Sequence, residues 1–410
     1  MMEQNVISAA HANDLLDDYR AGSSFFLSSR KQTLLTQGVS VVVPGGQGPN
    51  ELKLLPGRVT ELLKNVRQSG QGIPIVAGAV PFDDTMPARL VVPMAIRLAG
   101  PLQIDPSAQA QRPAGASYEI QDVPEPAIYE RGVERVLALL GIGNISKVVL
   151  SRTLELTSSS AVDVNQLLRN LARNNASGYT FAADLPRRAT SGLYSDSSTA
   201  GSGKRTLIGA SPELLVSRKG LHVLSNPLAG SMPRSDDPVE DERRAAELLM
   251  SRKDLHEHAV VVDAVAAALR IYCRNLEAPA KPSLIRTPTM WHLSSEIRGE
   301  LDDPSISSIE LAAALHPTPA VCGTPTGLAR AAIREIEPFD REFYTGMVGW
   351  CDAAGDGEWA VTIRCAEVED RSVRMYAGAG IVAGSVPAAE LAETSAKFRT
   401  LLRAMGLSHE

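Results

Sequence analysis

The sequence predicts an α+β fold with antiparallel sheets, and three observations predict it. Short β-branched runs bounded by turn residues recur along the chain. Two of the segments joining them, "DAAGDGE" (352–358) and "EDRS" (369–372), have hairpin length. The helical stretches do not alternate strictly with the strands, as a doubly wound fold requires.

Taken in order, the strand runs are "SVVVP" (40–44), "RLVVP" (89–93), "KVVLSRTLEL" (147–156), "TLIGASPELLVS" (206–217), "MVGWCD" (347–352), "EWAVTIRCAEV" (358–368) and "SVRMYAGAG" (372–380). Helical periodicity marks 125–140, 163–175, 238–274, 306–315, 326–335 and 387–405. The Pro-, Gly-, Ala- and Gln-rich stretch 100–126 reads as a crossing loop, and "SDSSTAGSGKR" (195–205) as a small polar loop.

The 410 residues are 44% hydrophobic and 21% charged, which is a soluble globular composition. A net charge of −6 gives no footprint for nucleic acid, so an anionic small substrate needs locally placed cations. Cys273, Cys322, Cys351 and Cys365 are scattered without a CxxC pair, which fits a reducing compartment better than a disulfide framework. The N-terminus lacks the basic and apolar regions of a signal peptide, and no apolar run reaches membrane-spanning length. A cytoplasmic protein is expected.

"KDLHEHAVVVDAVAAAL" (253–269) is the most apolar helical stretch, yet it opens on two histidines around a glutamate. A zinc pair needs histidines four apart, and His256 and His258 are two apart. On a helix His256, Asp263 and Arg270 form one polar stripe, which leaves Glu257 opposite, with Val261, Ala264, Ala268 and Ile271, and Asp254 one turn earlier. Two carboxylates on a buried face are costly unless paired, protonated or metal-bound. Acidic residues that suit the helix N-terminus are the plain alternative.

The last helix repeats the theme, with Leu391, Phe398, Leu402 and Met405 on one face and Glu390, Glu393 and Lys397 along its flank. That flank is either a surface ladder or, facing the first acidic pair, half of an oxygen-rich magnesium site. Lys147 opens a strand as a solvated edge guard or, turned inward, as a base. Pro212 and Gly209 interrupt a strand and re-aim Glu213 among Ala210, Leu214 and Leu215, where a carboxyl becomes a general acid. Arg364, among Ala360, Thr362 and Ala366, is either a fork for a carboxylate or an arch over the next strand. The glycines of "YAGAGIVAGS" (376–385) do not match a nucleotide loop, but Gly378 and Gly380 would let backbone amides approach an anion. His292 reads by default as a hydrogen-bonded core residue and "HPTPAVCGTP" (316–325) as a rigid loop.

Taken together, "KVVLSR", "GASPELL", "PLAGS", "KDLHEH", "HPTPAVCGTP", "EPFDREFYTGMVGW", "VTIRCA", "AGAGIV" and "AET" closely resemble the chorismate-utilising enzymes. These include isochorismate, salicylate, anthranilate and aminodeoxychorismate synthases. The resemblance covers about 120–405, and "SSFFLSS" and "GAVPFD" extend it toward isochorismate synthases of the 2,3-dihydroxybenzoate siderophore pathway. It implies one domain over 1–410 (1–118 leading into a core at 119–407), with an antiparallel β-sandwich and helices packed outside. It further implies that Glu257 and Glu393 hold magnesium, with Asp254 and Glu390 as water-mediated partners. Arg364, Tyr344 and the Gly378 amide would hold the enolpyruvyl carboxylate of chorismate, with Ile363 also at the substrate. Ser231 and His292 would flank the ring, and Lys397 would sit near the metal. Lys147 would activate water for addition at C2 and Glu213 would protonate the departing C4 hydroxyl. A monomer is expected, in transient contact with the next enzyme of its pathway. The rival readings are salicylate synthase, a menaquinone-pathway isochorismate synthase, the aminating relatives and a non-catalytic chorismate- or metal-binding subunit.

Overall fold

The computed structural model describes residues 5–8, 11–46, 48, 50–68, 73–103, 113–115, 117–175, 177–186 and 204–407. Among them the strands form an 11-stranded sheet, a 9-stranded sheet and a small 3-stranded sheet. The pairing is antiparallel apart from Asn5–Ser8 against Ala95–Ala99.

The two large sheets face each other, and strand alternation decides which side chains fill the gap. Phe25, Leu27, Phe181, Ala183 and Leu207 of the first sheet meet Ile75, Ala77, Ala79, Val348 and Ala360 of the second. The intervening residues point outward under helices. Phe26, Ala182 and Ile208 lie beneath Ala12–Asp17, Val164–Arg173 and Pro387–Met405. Val76, Met347 and Trp359 lie beneath Glu51–Gln68, Arg252–Leu269 and Ser308–Leu315. Because both faces are covered, Ser24–Ser28, Ile75–Val80 and Arg205–Ser211 are buried throughout. The expected sandwich with helices outside is what forms.

Several boundaries differ from the sequence reading. The 238–274 pattern is two helices, Pro238–Met250 and Arg252–Leu269, because the Ser251 hydroxyl accepts from the Asp254 amide and restarts the chain as an N-cap. Cys273 already belongs to a strand, and Ile271, expected on the buried face, is 78% exposed beyond the helix end. The supposed loop 100–126 contains the strand Tyr118–Val123, which pairs with Thr153–Ser158. Glu51–Gln68 is a helix despite Pro56 and Gly57, which conceal its period. Most of 195–205 lies outside the described residues; Arg205 starts a strand. No described helix is long and apolar enough to cross a membrane.

The largest difference concerns two runs taken as single strands. "TLIGASPELLVS" is Arg205–Ser211 in the first sheet and Leu214–Lys219 in the second. "EWAVTIRCAEV" is Gly357–Val361 in the second sheet and Cys365–Glu369 in the first. Arg364 is therefore at a corner, with φ 50°, and not mid-strand. The two crossings run side by side: the Val361 amide donates to the Glu213 carbonyl at 3.1 Å, and the Ala210 amide donates to the Arg364 carbonyl at 3.0 Å. Gly209 permits this approach. A Cβ there would stand 2.6 Å from Phe181 Cζ, 2.8 Å from Cys365 Cβ and 3.0 Å from the Arg364 carbonyl oxygen. Gly209→Ala is therefore expected to destabilise the protein by about 2 kcal/mol, a typical overpacking cost, read as a lower urea midpoint. An unchanged midpoint would show that the crossing has slack.

Candidate active site

The double crossing leaves a cleft enclosing about 580 Å³, counting the part open to solvent. Glu213 and Arg364 reach it from the two corners. Ser231 and His292 come from the small sheet, Gly378 and Gly380 from the long strand Ser372–Ile381, and Glu257, Glu393 and Lys397 from two helices. Tyr344 and Ile363 complete the expected residues on its wall.

Glu213 is fully sheltered. Burial pushes its carboxyl up to about 7, against the opposing pull of the Leu228 amide, Lys147, Arg364 and Lys397. Arg364 is 7% exposed and its Nε has no hydrogen-bond partner, an orphaned donor in a cationic corner. Its terminal NH2 lies 3.3 Å from His292 Nε2. Gly378 and Gly380 lie where Ser372–Ile381 runs past the ladder with Cys365–Glu369, whose final pair is Ala366–Met375. A Cβ on Gly380 would collide with Glu257 Oε1 at 2.2 Å, so this glycine lets the carboxylate reach the cleft.

His256, Asp263 and Arg270 face water, as their stripe suggests, while Asp254 and Glu257 are buried. The cations that the sequence does not reveal are lysines. Lys147 Nζ lies 2.9 Å from Glu257 Oε1, Lys253 Nζ 2.7 Å from Glu390 Oε1, and Lys397 Nζ 2.5 Å from Glu393 Oε1. Burial raises Glu257, but Lys147, Lys253 and Lys397 together outweigh it, and the carboxyl ends low. Asp254 is raised by burial and by the charges of Glu257 and Glu393, against Ser251 and Lys253; Glu390 is raised by burial and by Glu393.

The edge-guard reading of Lys147 is wrong. Its strand is covered by Gly323–Thr324 on one side and Ser372–Ile381 on the other, and the side chain is 0% exposed. The amine does not itself line the cleft; it stands behind Glu257. Asp254 and Glu390 likewise lie behind the wall that Glu257 and Glu393 form. Among the described residues no three carboxylate, imidazole or thiolate groups are close enough to hold a metal ion as they stand. Hard oxygen donors nevertheless suit magnesium, and each of Glu257, Glu390 and Glu393 has an ammonium in the place a cation's charge would take.

Sequence reasoning misses what holds the floor. Arg341, 3% exposed, donates to Glu337 at 2.6 and 2.9 Å, to the Val149 carbonyl at 2.7 Å, the Val321 carbonyl at 2.8 Å and Ser151 Oγ at 3.0 Å. Glu337 also accepts the Ser151 amide at 2.7 Å, and Ser151 Oγ lies 3.3 Å from the Tyr344 hydroxyl. Tyr344 stacks on Tyr376 with centroids 4.7 Å apart, a second wall residue not anticipated. The Glu337–Arg341 spacing is the available signal, but Glu337 lies beyond its helix and the spacing alone suggests a surface pair.

A model of chorismate binding enzymes matches residues 101–406. The chain is 61% identical to the isochorismate synthase DhbC of Bacillus subtilis over 409 residues, all of both chains. It is 41% identical to the vibriobactin-specific isochorismate synthase of Vibrio cholerae over 99% of this chain and 98% of that one. A Bacillus anthracis crystal structure described as a 2,3-dihydroxybenzoate-specific isochorismate synthase superimposes with a TM-score of 0.89 at 52% identity, covering 97% of this chain and all of that one.

The Glu213 shift gives a measurable sign. Between the unfolded value of 4.5 and the folded value of about 7 the native state binds the extra proton. Stability is therefore lost as pH rises through that window, by up to ~3 kcal/mol. Glu213→Gln lacks this loss. From about pH 5 to about pH 8 its urea-unfolding free energy is expected to gain on wild type by ~2–3 kcal/mol; parallel curves would refute a buried, protonated Glu213.

Proposed function

The chain belongs to the chorismate binding enzymes, and from that premise we infer that it is an isochorismate synthase, an isomerase converting chorismate to isochorismate for 2,3-dihydroxybenzoate siderophore synthesis. The observation that carries this is a cleft lined by a raised carboxyl and an under-satisfied arginine, with a fully buried lysine paired to the Glu257 wall from behind. Likeness to isochorismate synthases from end to end favours this product over salicylate. We take 1–410 as one catalytic domain, since both sheets supply the walls, and expect a cytoplasmic monomer in transient contact with the enzyme that consumes its product.

In this reading Arg364 presents its fork to the enolpyruvyl carboxylate, with Tyr344, Ile363 and the Gly378 amide beside it. Ser231 and His292 flank the ring. Magnesium would be held by Glu257 and Glu393, with Asp254 and Glu390 acting through water and Lys397 alongside, and would supply charge for the ring carboxylate. Lys147 takes a proton from the water whose oxygen bonds to C2. The ring double bonds shift and the C4 oxygen leaves with the proton of Glu213. One water enters and one departs, so the product is an isomer. Glu213 suits its part because its carboxyl keeps a proton up to about pH 7.

The deciding experiment incubates the protein with chorismate and magnesium and identifies the product by NMR. Isochorismate is expected; salicylate and pyruvate, or no turnover, would overturn the reading. Lys147→Ala is expected to bind chorismate and lose at least about a hundredfold in kcat; near-wild-type turnover would remove it as the base. Glu257→Gln is expected to fold and to lose magnesium-dependent turnover. Full activity in that variant, or in wild type with excess chelator, would dismiss the carboxylate site.

A further inference from the structure

Ser231 and His292 are direct cross-strand partners on the small sheet. The register shifts between Leu228 and Ser231, with Gly230 at φ 76°, and this bulge turns Ser231 to the cleft. His292 Nδ1 stands 2.8 Å from Ser231 Oγ, and His292 Nε2 stands 3.3 Å from the Arg364 NH2. The ring is 3% exposed, and both of its nitrogens are engaged.

These contacts fix the direction of every bond in the chain. A guanidinium only donates, so Nε2 must be the acceptor. The proton of the neutral ring is then on Nδ1, which donates to Ser231 Oγ. With one lone pair so occupied, the Ser231 hydroxyl keeps its own proton for the cleft. Burial, then the charges of Arg364 and Lys397, pushes His292 well below the ordinary histidine range, in agreement with a neutral ring.

Resting on the isochorismate synthase reading for the ligand only, we propose that Arg364, His292 and Ser231 form a one-directional relay. His292 is a positioning residue, locked as the Nδ1–H tautomer, that makes Ser231 a fixed hydrogen-bond donor to a substrate oxygen beside the Arg364 fork. The relay does no proton transfer. It selects a ligand that offers acceptors at both points, a carboxylate and a neighbouring oxygen, and it ties the placement of one to the other.

The test compares His292→Gln, whose amide can accept from Arg364 and donate to Ser231, with His292→Leu, which can do neither. It also includes Ser231→Ala and the double variant His292→Leu/Ser231→Ala. Turnover is followed as chorismate consumption with magnesium present, so an error in the product assignment leaves this measurement intact. The glutamine variant is expected within about threefold of wild type. The leucine variant is expected to raise KM about tenfold to a hundredfold with a much smaller change in kcat. Adding Ser231→Ala to it is expected to cost less than about threefold more, because the donor is already lost. A glutamine variant as depleted in kcat as the leucine one, at unchanged KM, would make His292 an acid–base group and overturn the relay. Fully additive losses for Ser231 and His292 would overturn it equally.

Discussion

Everything at the cleft depends on two chain segments changing sheets side by side. A strand that leaves one sheet for another exposes backbone groups that need partners. Here the two segments satisfy each other, through the Val361 amide to the Glu213 carbonyl and the Ala210 amide to the Arg364 carbonyl. The acid and the fork are thus spaced by main-chain hydrogen bonds, while their side chains face the cleft. The left-handed backbone of Arg364 and the missing side chain of Gly209 are the local conditions of that arrangement.

A second level of order is electrostatic. The carboxylates of buried Glu257 and Glu390 and of half-buried Glu393 are each paired with a lysine, while Glu213 has no ion-pair partner among the described residues and is raised by burial. One corner of the cleft therefore carries lysine-paired carboxylates, and another carries a carboxyl that burial holds raised. The Arg341–Glu337 pair lies beneath both and bonds to Val149, Ser151 and Val321, so it joins the long strand to the proline-rich loop that the sequence suggests is merely rigid. Removing one member of such a buried pair costs about 3–5 kcal/mol.

The sequence makes the fold class and most helices legible because 3.6-residue periods and hairpin connections are local signals. Helical period alone places Glu257 away from water. It does not identify Lys147 as that residue's partner, because the contact joins positions 110 apart and the edge-guard pattern looks the same from sequence. The single strands drawn through Pro212, as a local break, and through Arg364 fail for a related reason. Alternation persists through a corner even as the chain passes from one sheet to the other. Gly209 and Pro212 hint at a break, but only the neighbouring crossing says where it leads. Site roles follow from resemblance to a family, whereas the Ser231–His292 register and the Arg341 bonds to Val149 and Val321 join positions far apart in the chain, which no local signal marks.

The long strand Lys147–Ser158 has its main partner in Ser372–Ile381, and Ser24–Ser28 pairs with Thr180–Ala182. In a chain made from its N-terminus, the first large sheet stays open until Ser372–Ile381 has been synthesised. Until then Lys147 lacks one of its two neighbouring strands, and the apolar rows that later lie under Pro387–Met405 lack that helix. A ribosome stalled before the codons of Ser372–Ile381 would therefore hold a nascent chain in which Lys147–Ser158 and Cys365–Glu369 lack the strand that joins them, and unpaired strand edges are adhesive. Completion of Ser372–Ile381 is accordingly a matter of solubility as much as of catalysis.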